Sequence, residues 1–179
     1  MEKLAKDLFG SIINIGGVDK RCNVVAFLKN QETGEERAYP GANIVTDAGD
    51  LYYAQKAAAE TPDINFAAGG FRLGTSTQTP GKDSTDVDNA DSNGNHAIFA
   101  SYPMTDDGDT DNTGAGADIV TWKAYYNTTE GNITGITGVA IVDSTSSPTA
   151  ALCHASFSSF DKTSSDTLTI YVNHQFNGS

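Results

Sequence analysis

Basic residues are scarce: 11 lysines and arginines stand against 23 aspartates and glutamates, a formal net charge of −12. Binding to a phosphate backbone draws on Lys and Arg displacing counterions, so nucleic acid is not an expected partner, nor is an anionic membrane surface. What the charge supports is solubility and repulsion between copies. Cys22 and Cys153 are the only cysteines. They are too few for a disulfide framework and lack metal-ligand spacing, so two buried or half-buried thiols are a simpler reading than a bridge. No apolar run is long enough to span a bilayer. The opening Met1–Phe9 interleaves charge with apolar residues and has no continuous apolar stretch of the secretory kind, which predicts synthesis in the cytoplasm without signal-led export. The chain also has no G-x-S-x-G, no H-E-x-x-H and no phosphate-binding glycine loop, so it is not expected to be an enzyme.

What is present is a core. The 179 residues are 38% apolar and include 8 Phe and 7 Tyr, enough for one well-packed domain. The 18 glycines and frequent Ser, Thr, Asn and Asp predict short strands joined by turns. Residues 1–20 form an N-terminal segment in which Leu4, Leu8 and Ile12 share one helical face, with Phe9 beside them. It is either an amphipathic helix packed on its own domain or an arm that orders on a partner. Residues 21–179 form the main domain. Arg21–Leu28 and Glu36–Tyr39 read as a hairpin ended by Pro40-Gly41. Asn43–Thr46 is a short extended entry to a helix near 48–60, with Asp47 as N-cap, Asp50 in the first turn and Leu51, Ala54 and Ala58 as its buried stripe. Short strands are expected at Ile64–Phe66, Phe71–Leu73 and His96–Tyr102, with a long polar loop over 74–95 between the last two. The clearest strands are Ile119–Tyr126, Gly138–Val142, Ala150–Phe157 and Thr167–Phe176. In the last, Leu168, Ile170, Val172, His174 and Phe176 alternate inward against Thr167, Thr169, Tyr171, Asn173 and Gln175. The whole predicts a mainly β fold: a single antiparallel β-sandwich or jelly-roll-like domain with one internal helix.

Candidate chemistry is thin. In Asp107–Asp118, Asp107, Asp109 and Asp111 match positions 1, 3 and 5 of a calcium loop and Asp118 falls at position 12. Alternating carboxylates on a tight loop can supply the oxygens that Ca²⁺ needs. Asn112 stands where the loop has glycine, and Asp118 is shorter than the usual Glu and leads into a strand. A solvated acidic turn is therefore the simpler reading, with these four aspartates as the candidate Ca²⁺ ligands. Asp83, Asp86, Asp88 and Asp91 crowd the earlier loop without such spacing. Cys153 and His154 are adjacent in a strand and so point to opposite faces, which bars a nucleophilic pair between them. His96, His154 and His174 read as structural or surface histidines. Asn127-Thr-Thr and Asn132-Ile-Thr have the form of glycosylation sites but no export signal to give them meaning. Trp122, Tyr125 and Tyr126 invite comparison with a sugar-stacking platform, yet alternation divides them between faces and favours core packing.

A set of motifs in fixed order carries a resemblance. They are Glu32-Thr-Gly-Glu35 in the hairpin, Asn43-Ile-Val-Thr-Asp-Ala-Gly49 entering the helix, and Leu73-Gly-Thr75 with Pro80 close behind. Phe157–Phe160, Asp161-Lys-Thr163 and Asp166-Thr-Leu-Thr-Ile170 complete it. Together they span Arg21 to the C-terminus, and the chain resembles the structural proteins of tailed-bacteriophage particles. The resemblance implies assembly into a virion after synthesis in host cytoplasm, no enzymatic activity, and no site residues. Within the particle, size, acidity and the separate N-terminal segment favour a capsid decoration (cement) protein whose arm and loops clamp the major capsid protein or other virion proteins, as a homotrimer. A tail, collar or baseplate component is the alternative in the same class, and a carbohydrate-binding β-sandwich module the alternative outside it.

Overall fold

Alternation builds the first strand. In β1 (Cys22–Asn30), Val24, Ala26 and Leu28 turn to the main core, while Val25 and Phe27 turn the other way. The computed structural model describes residues 22–105 and 119–176, so the N-terminal segment 1–20 lies outside them. A turn in which Asn30 Oδ1 accepts from the backbone N–H of Glu32 and Thr33 (3.0 and 2.9 Å) leads into β2 (Glu36–Val45). β2 runs straight through Pro40-Gly41, which the sequence suggested as the hairpin's end. Pro40 lies one residue beyond the part of β2 that pairs with the next strand over, where a strand loses least from a missing N–H. Gly41 is there because the two backbones approach closely: a Cβ would stand 2.2 Å from Ser156 O.

Helix α1 (Asp47–Ala57) follows directly, and its N-cap is Thr46 rather than Asp47. Thr46 Oγ1 accepts from Gly49 N at 3.0 Å, while Asp47 and Asp50 sit in the first turn, where the helix dipole favours negative charge. The helix stops at Ala57, earlier than the expected residue 60. Its buried residues are Gly49 and Tyr52, not Leu51, Ala54 and Ala58, all of which are exposed. The reason is Gly49. A Cβ at that position would lie 2.1 Å from Leu152 O, so the helix presses its backbone onto the sheet there, which rotates the stripe toward Tyr52.

A 3-10 turn at Phe66–Ala68 replaces the expected strand at 64–66. Then come β3 (Gly70–Gly74), a two-residue β4 (His96–Ala97), β5 (Ile119–Tyr126), β6 (Ile133–Val142), β7 (Ala151–Lys162) and β8 (Asp166–Gln175). All pair antiparallel in one eight-stranded sheet of order β4-β3-β6-β7-β2-β1-β8-β5. The two ends approach each other just past β4. Phe99 N donates to Lys123 O at 2.8 Å, and Met104 and Thr121 exchange backbone bonds of 3.1 and 2.9 Å. The sheet is thus nearly closed, and its outer strands are not left as open hydrogen-bonding edges. The expected mainly β, antiparallel architecture with one internal helix is present.

One large core fills the interior, with Trp122, Tyr126, Phe66, Phe71, Ile136, Ile141, Leu152, Leu168 and Ile170 all buried. On β8 the expected inward set holds for Leu168, Ile170, Val172 and His174. Phe176 is instead exposed, and Tyr171 and Asn173 are buried on the opposite face.

Candidate functional site

The loop at 75–95 is the first place to look for function, and the structure lays it across the chain's own sheet. Register sets Arg72, Ala140, His154 and Ile44 in a row over β3, β6, β7 and β2. The loop straps this row. Gln78 is its pin: Nε2 donates to Ser76 O, Asp88 O and Thr137 Oγ1 (2.9, 3.1 and 3.1 Å). Its Oε1 accepts from Asp88 N at 3.0 Å and faces His154 Nε2 at 2.8 Å. Because that oxygen can only accept, Nε2 of His154 carries the ring proton, and Nδ1 accepts from Ser84 Oγ at 3.1 Å. Burial lowers the His154 pKa, against the pull of Asp88 and Asp86, so a neutral ring fits the network. Asp86 pairs with Arg72 at 2.7 Å, and burial raises its pKa, opposed by Val87 N–H and by Arg72. Val87 closes the strap by packing on Ala140, Val142 and Ala151. Lys82 meets Asp50 of α1, and its carbonyl accepts from Asp47 N at 2.8 Å.

A second polar cluster lies beneath α1. His174 Nδ1 is 2.6 Å from Tyr53 Oη, which accepts from Trp122 Nε1 at 2.8 Å, and His174 Nε2 is 3.3 Å from Asn43 Nδ2. Burial alone lowers the His174 pKa to about 3, so the imidazole is neutral at any ordinary pH. Tyr53 and Asn43 fix its orientation by hydrogen bonds, and the edge-on ring of Tyr53 packs beside it. Among the described residues no carboxylate bonds the ring, and Tyr52 and Phe176 pack edge-on against Tyr53. It ties helix to sheet. Cys153 belongs to the main core and His154 to the strap side, so the two do stand on opposite faces.

An exposed aromatic surface lies at the seam of the sheet. Phe99 and Tyr125 are both more than a third exposed, with ring centroids 6.2 Å apart. Lys123 threads beneath them, its Nζ 4.8, 5.4 and 5.1 Å from the rings of Phe99, Tyr102 and Tyr171, distances at which a cation is held by the ring faces. Beside Tyr125 is a cavity of about 220 Å³ lined by Phe27, Leu28, Lys29, Gln31, Glu36, Thr167 and Thr169. Trp122 and Tyr126, the other members of the sequence's aromatic trio, are wholly in the core. Tyr126 Oη donates to Gly94 O at 2.9 Å, and burial raises its pKa.

The four candidate calcium ligands Asp107, Asp109, Asp111 and Asp118 lie outside the described residues. Among the described residues no group of three His, Cys, Asp or Glu side chains is placed to hold a metal. No helix of the described residues is long and apolar enough to cross a membrane. Two turns of the chain meet at one pole, while Asn43–Gly49 lies at the far end of β2. The turns at 31–35 and 163–165 are bonded through Gln31 N to Ser165 O, Ser165 Oγ to Glu32 and Asn30 Nδ2 to Asp166 (2.8, 2.8 and 3.0 Å). Asp166 also caps its own turn at Thr163, and despite the opposing cost of burial its hydrogen bonds hold its pKa low. Comparisons with protein-family models, with curated proteins and with solved structures find no match to this chain. The seam was missed by sequence reasoning because Phe99 lies just past β4 and Tyr125 in β5, and only sheet closure makes them neighbours.

Proposed function

We propose that this protein is a structural component of a tailed-phage particle, a capsid decoration protein that binds the assembled shell. The order of motifs from Glu32 to Ile170 supports the class. The observation that carries the binding role is the exposed Phe99–Tyr125 pair, two aromatic rings in contact on the surface of an acidic chain. Paired exposed aromatics over a caged lysine are the composition of an interface centre, where aromatic side chains supply most of the energy. In this reading the nearly closed sheet is a flattened, sandwich-like block, the partner is the major capsid protein, and three copies cap a local three-fold of the shell.

The test is binding of purified protein to shells that lack it. Phe99→Ser with Tyr125→Ser should weaken binding by a factor of about 10 or more, on the order of 2 kcal/mol for an interface anchor, with the far-ultraviolet signal of the folded sheet retained. Copy number in purified particles discriminates further. Amounts comparable to the shell subunit fit decoration, whereas a minor species would point to tail, collar or baseplate.

One observation favours a second reading, a carbohydrate-binding module. Tyr125 stands half-exposed beside a cavity whose rim carries Gln31, Thr167 and Thr169, and an aromatic face with hydroxyl and amide neighbours suits a sugar ring. A glycan array with no signal above that of Tyr125→Ala disposes of it.

A further inference from the structure

We propose that the loop over 75–95 is an acid-released strap with His154 as its sensor: a proton on Nδ1 unfastens Ser84 and frees residues 78–88 while the sheet beneath stays folded. This goes beyond the particle reading and stands or falls separately from it.

His154 stands in the middle of the row that the strap crosses, with Ala140 and Ile44 beside it in register. Its two ring nitrogens face two points of the strap and take opposite roles there. Gln78 Oε1 is committed as an acceptor, because Nε2 of the same amide donates to Ser76 O, Asp88 O and Thr137 Oγ1. The ring Nε2 therefore donates to it, and Nδ1 is left to accept from Ser84 Oγ at 3.1 Å. That hydroxyl oxygen also accepts from Gly81 N at 3.0 Å, and Ser84 N donates to Gly81 O at 3.2 Å. The turn so closed carries Lys82, which holds the start of α1 through Asp47 N and Asp50. A proton on Nδ1 converts the acceptor into a donor. The Ser84 hydroxyl must then swing its hydrogen away, and a positive charge is left beneath the strap.

The charged groups around the ring are engaged elsewhere. Asp86 pairs with Arg72 of β3 at 2.7 Å, and Asp88 Oδ2 accepts from Thr79 N at 2.6 Å. Lys82 and Asp50 meet each other at the start of α1, and Asp83 is exposed. β6 and β2 bring the uncharged Ala140 and Ile44 to either side, and Arg72 adds like charge to the same row. Among the described residues the ring nitrogens thus bond Gln78 and Ser84, not a carboxylate. A buried imidazolium without a bonded carboxylate is costly. Burial lowers the ring's pKa, and the more distant pull of Asp88 and Asp86 only reduces that shift. Opening the strap returns water to the ring, so the proton favours the open form. Closure is therefore at full strength above the ordinary 6.5 and weakens as the pH falls below it. The strap's apolar hold is limited to Val87 and Ala90 against Ala140, Val142 and Ala151, a contact small enough to part without melting the main core.

Hydrogen exchange of the full chain, read by mass spectrometry from about pH 7.5 to 5 and corrected for the intrinsic pH dependence of amide exchange, tests the release. Protection of residues 78–88 should fall by up to about tenfold per pH unit below 6.5, while the amides of β1 and β8 lose much less. His154→Gln keeps a donor and an acceptor but does not titrate, so its strap protection should be flat over the same range. Strap protection that is flat in the native chain, or that falls as steeply in His154→Gln, would overturn the proposal. So would an equal fall in strap and sheet, which would mean global loosening. The native chain alone supplies a second readout that does not depend on the variant folding. The His154 ring resonance should titrate with a midpoint below 6.5, since only then does the proton oppose closure; a midpoint at or above that value would also overturn the release.

Discussion

His174 shows what a single buried side chain can set. Its ring is held by Tyr53 and Asn43 in a site that burial makes hostile to charge, with a pKa near 3 against an ordinary 6.5. The sign follows from linkage. Below pH 6.5 the unfolded chain's imidazole takes up a proton that the folded one refuses until about pH 3. The stability contribution is therefore whole above 6.5 and is lost as the pH falls through that window, at up to about 1.4 kcal/mol per unit. Urea midpoints measured from pH 7 to pH 4 should fall more steeply for the native chain than for His174→Gln, even though the variant is less stable at pH 7. Parallel slopes would show that His174 is solvated. Beside it, Asn43 Oδ1 is buried without a hydrogen-bond partner among the described residues, an uncompensated desolvation cost.

At the scale of elements, the helix and the strap are each fastened at one point. For α1 the point is Thr46, whose Oγ1 accepts from Gly49 N and donates to Ala151 O. Thr46→Ala should lower stability by about 1–2 kcal/mol, Thr46→Ser should restore most of it, and Asp47→Ala should cost little. Chemical denaturation of the three variants checks the assignment of the cap. For the strap the point is Gln78. Gln78→Ala removes its five hydrogen bonds to Ser76, Asp88, Thr137 and His154 and leaves polar groups unpaired beneath it. Residues 75–95 should become cleavable by limited proteolysis while the sheet stays intact, as mass spectrometry of the fragments would show. Here the sequence was legible only in part. A long polar loop could be read from composition, but its destination could not, because Gln78 and His154 are separated by 76 positions and nothing local connects them. The same holds for Cys153 and His154 in reverse: period-two alternation is local, so their opposite faces were readable at once.

The whole molecule combines a net charge of −12 with a sheet that is nearly closed. Few of its acids are offset by tight ion pairs among the described residues. Lys29–Glu36, Arg37–Glu35 and Lys82–Asp50 are surface contacts, and Arg72–Asp86 is the more shielded one. Like-charge repulsion should therefore weigh on the folded state at low ionic strength. Adding salt from about 10 to 150 mM shortens the Debye length from roughly 30 to 8 Å, and the thermal midpoint should rise. A falling midpoint would mean that the surface pairs outweigh the repulsion.

Strand content, antiparallel pairing, the internal helix and the burial of Trp122, Tyr126 and most of β8 followed from the sequence alone, since alternation and turn chemistry act over a few residues. Where bulges break the alternation, as between Ile133, Ile136 and Gly138 in β6, the local pattern faded and the strand read short. Helix orientation was beyond local reading too, because it depends on how closely Gly49 approaches Leu152 across the fold. The strap over His154, the joining of Phe99 to Tyr125 at the seam and the apolar cluster of Val25, Phe27 and Tyr171 were decided only by the tertiary structure. Each requires knowing which distant strands become neighbours, and that is settled by closing the sheet around one core.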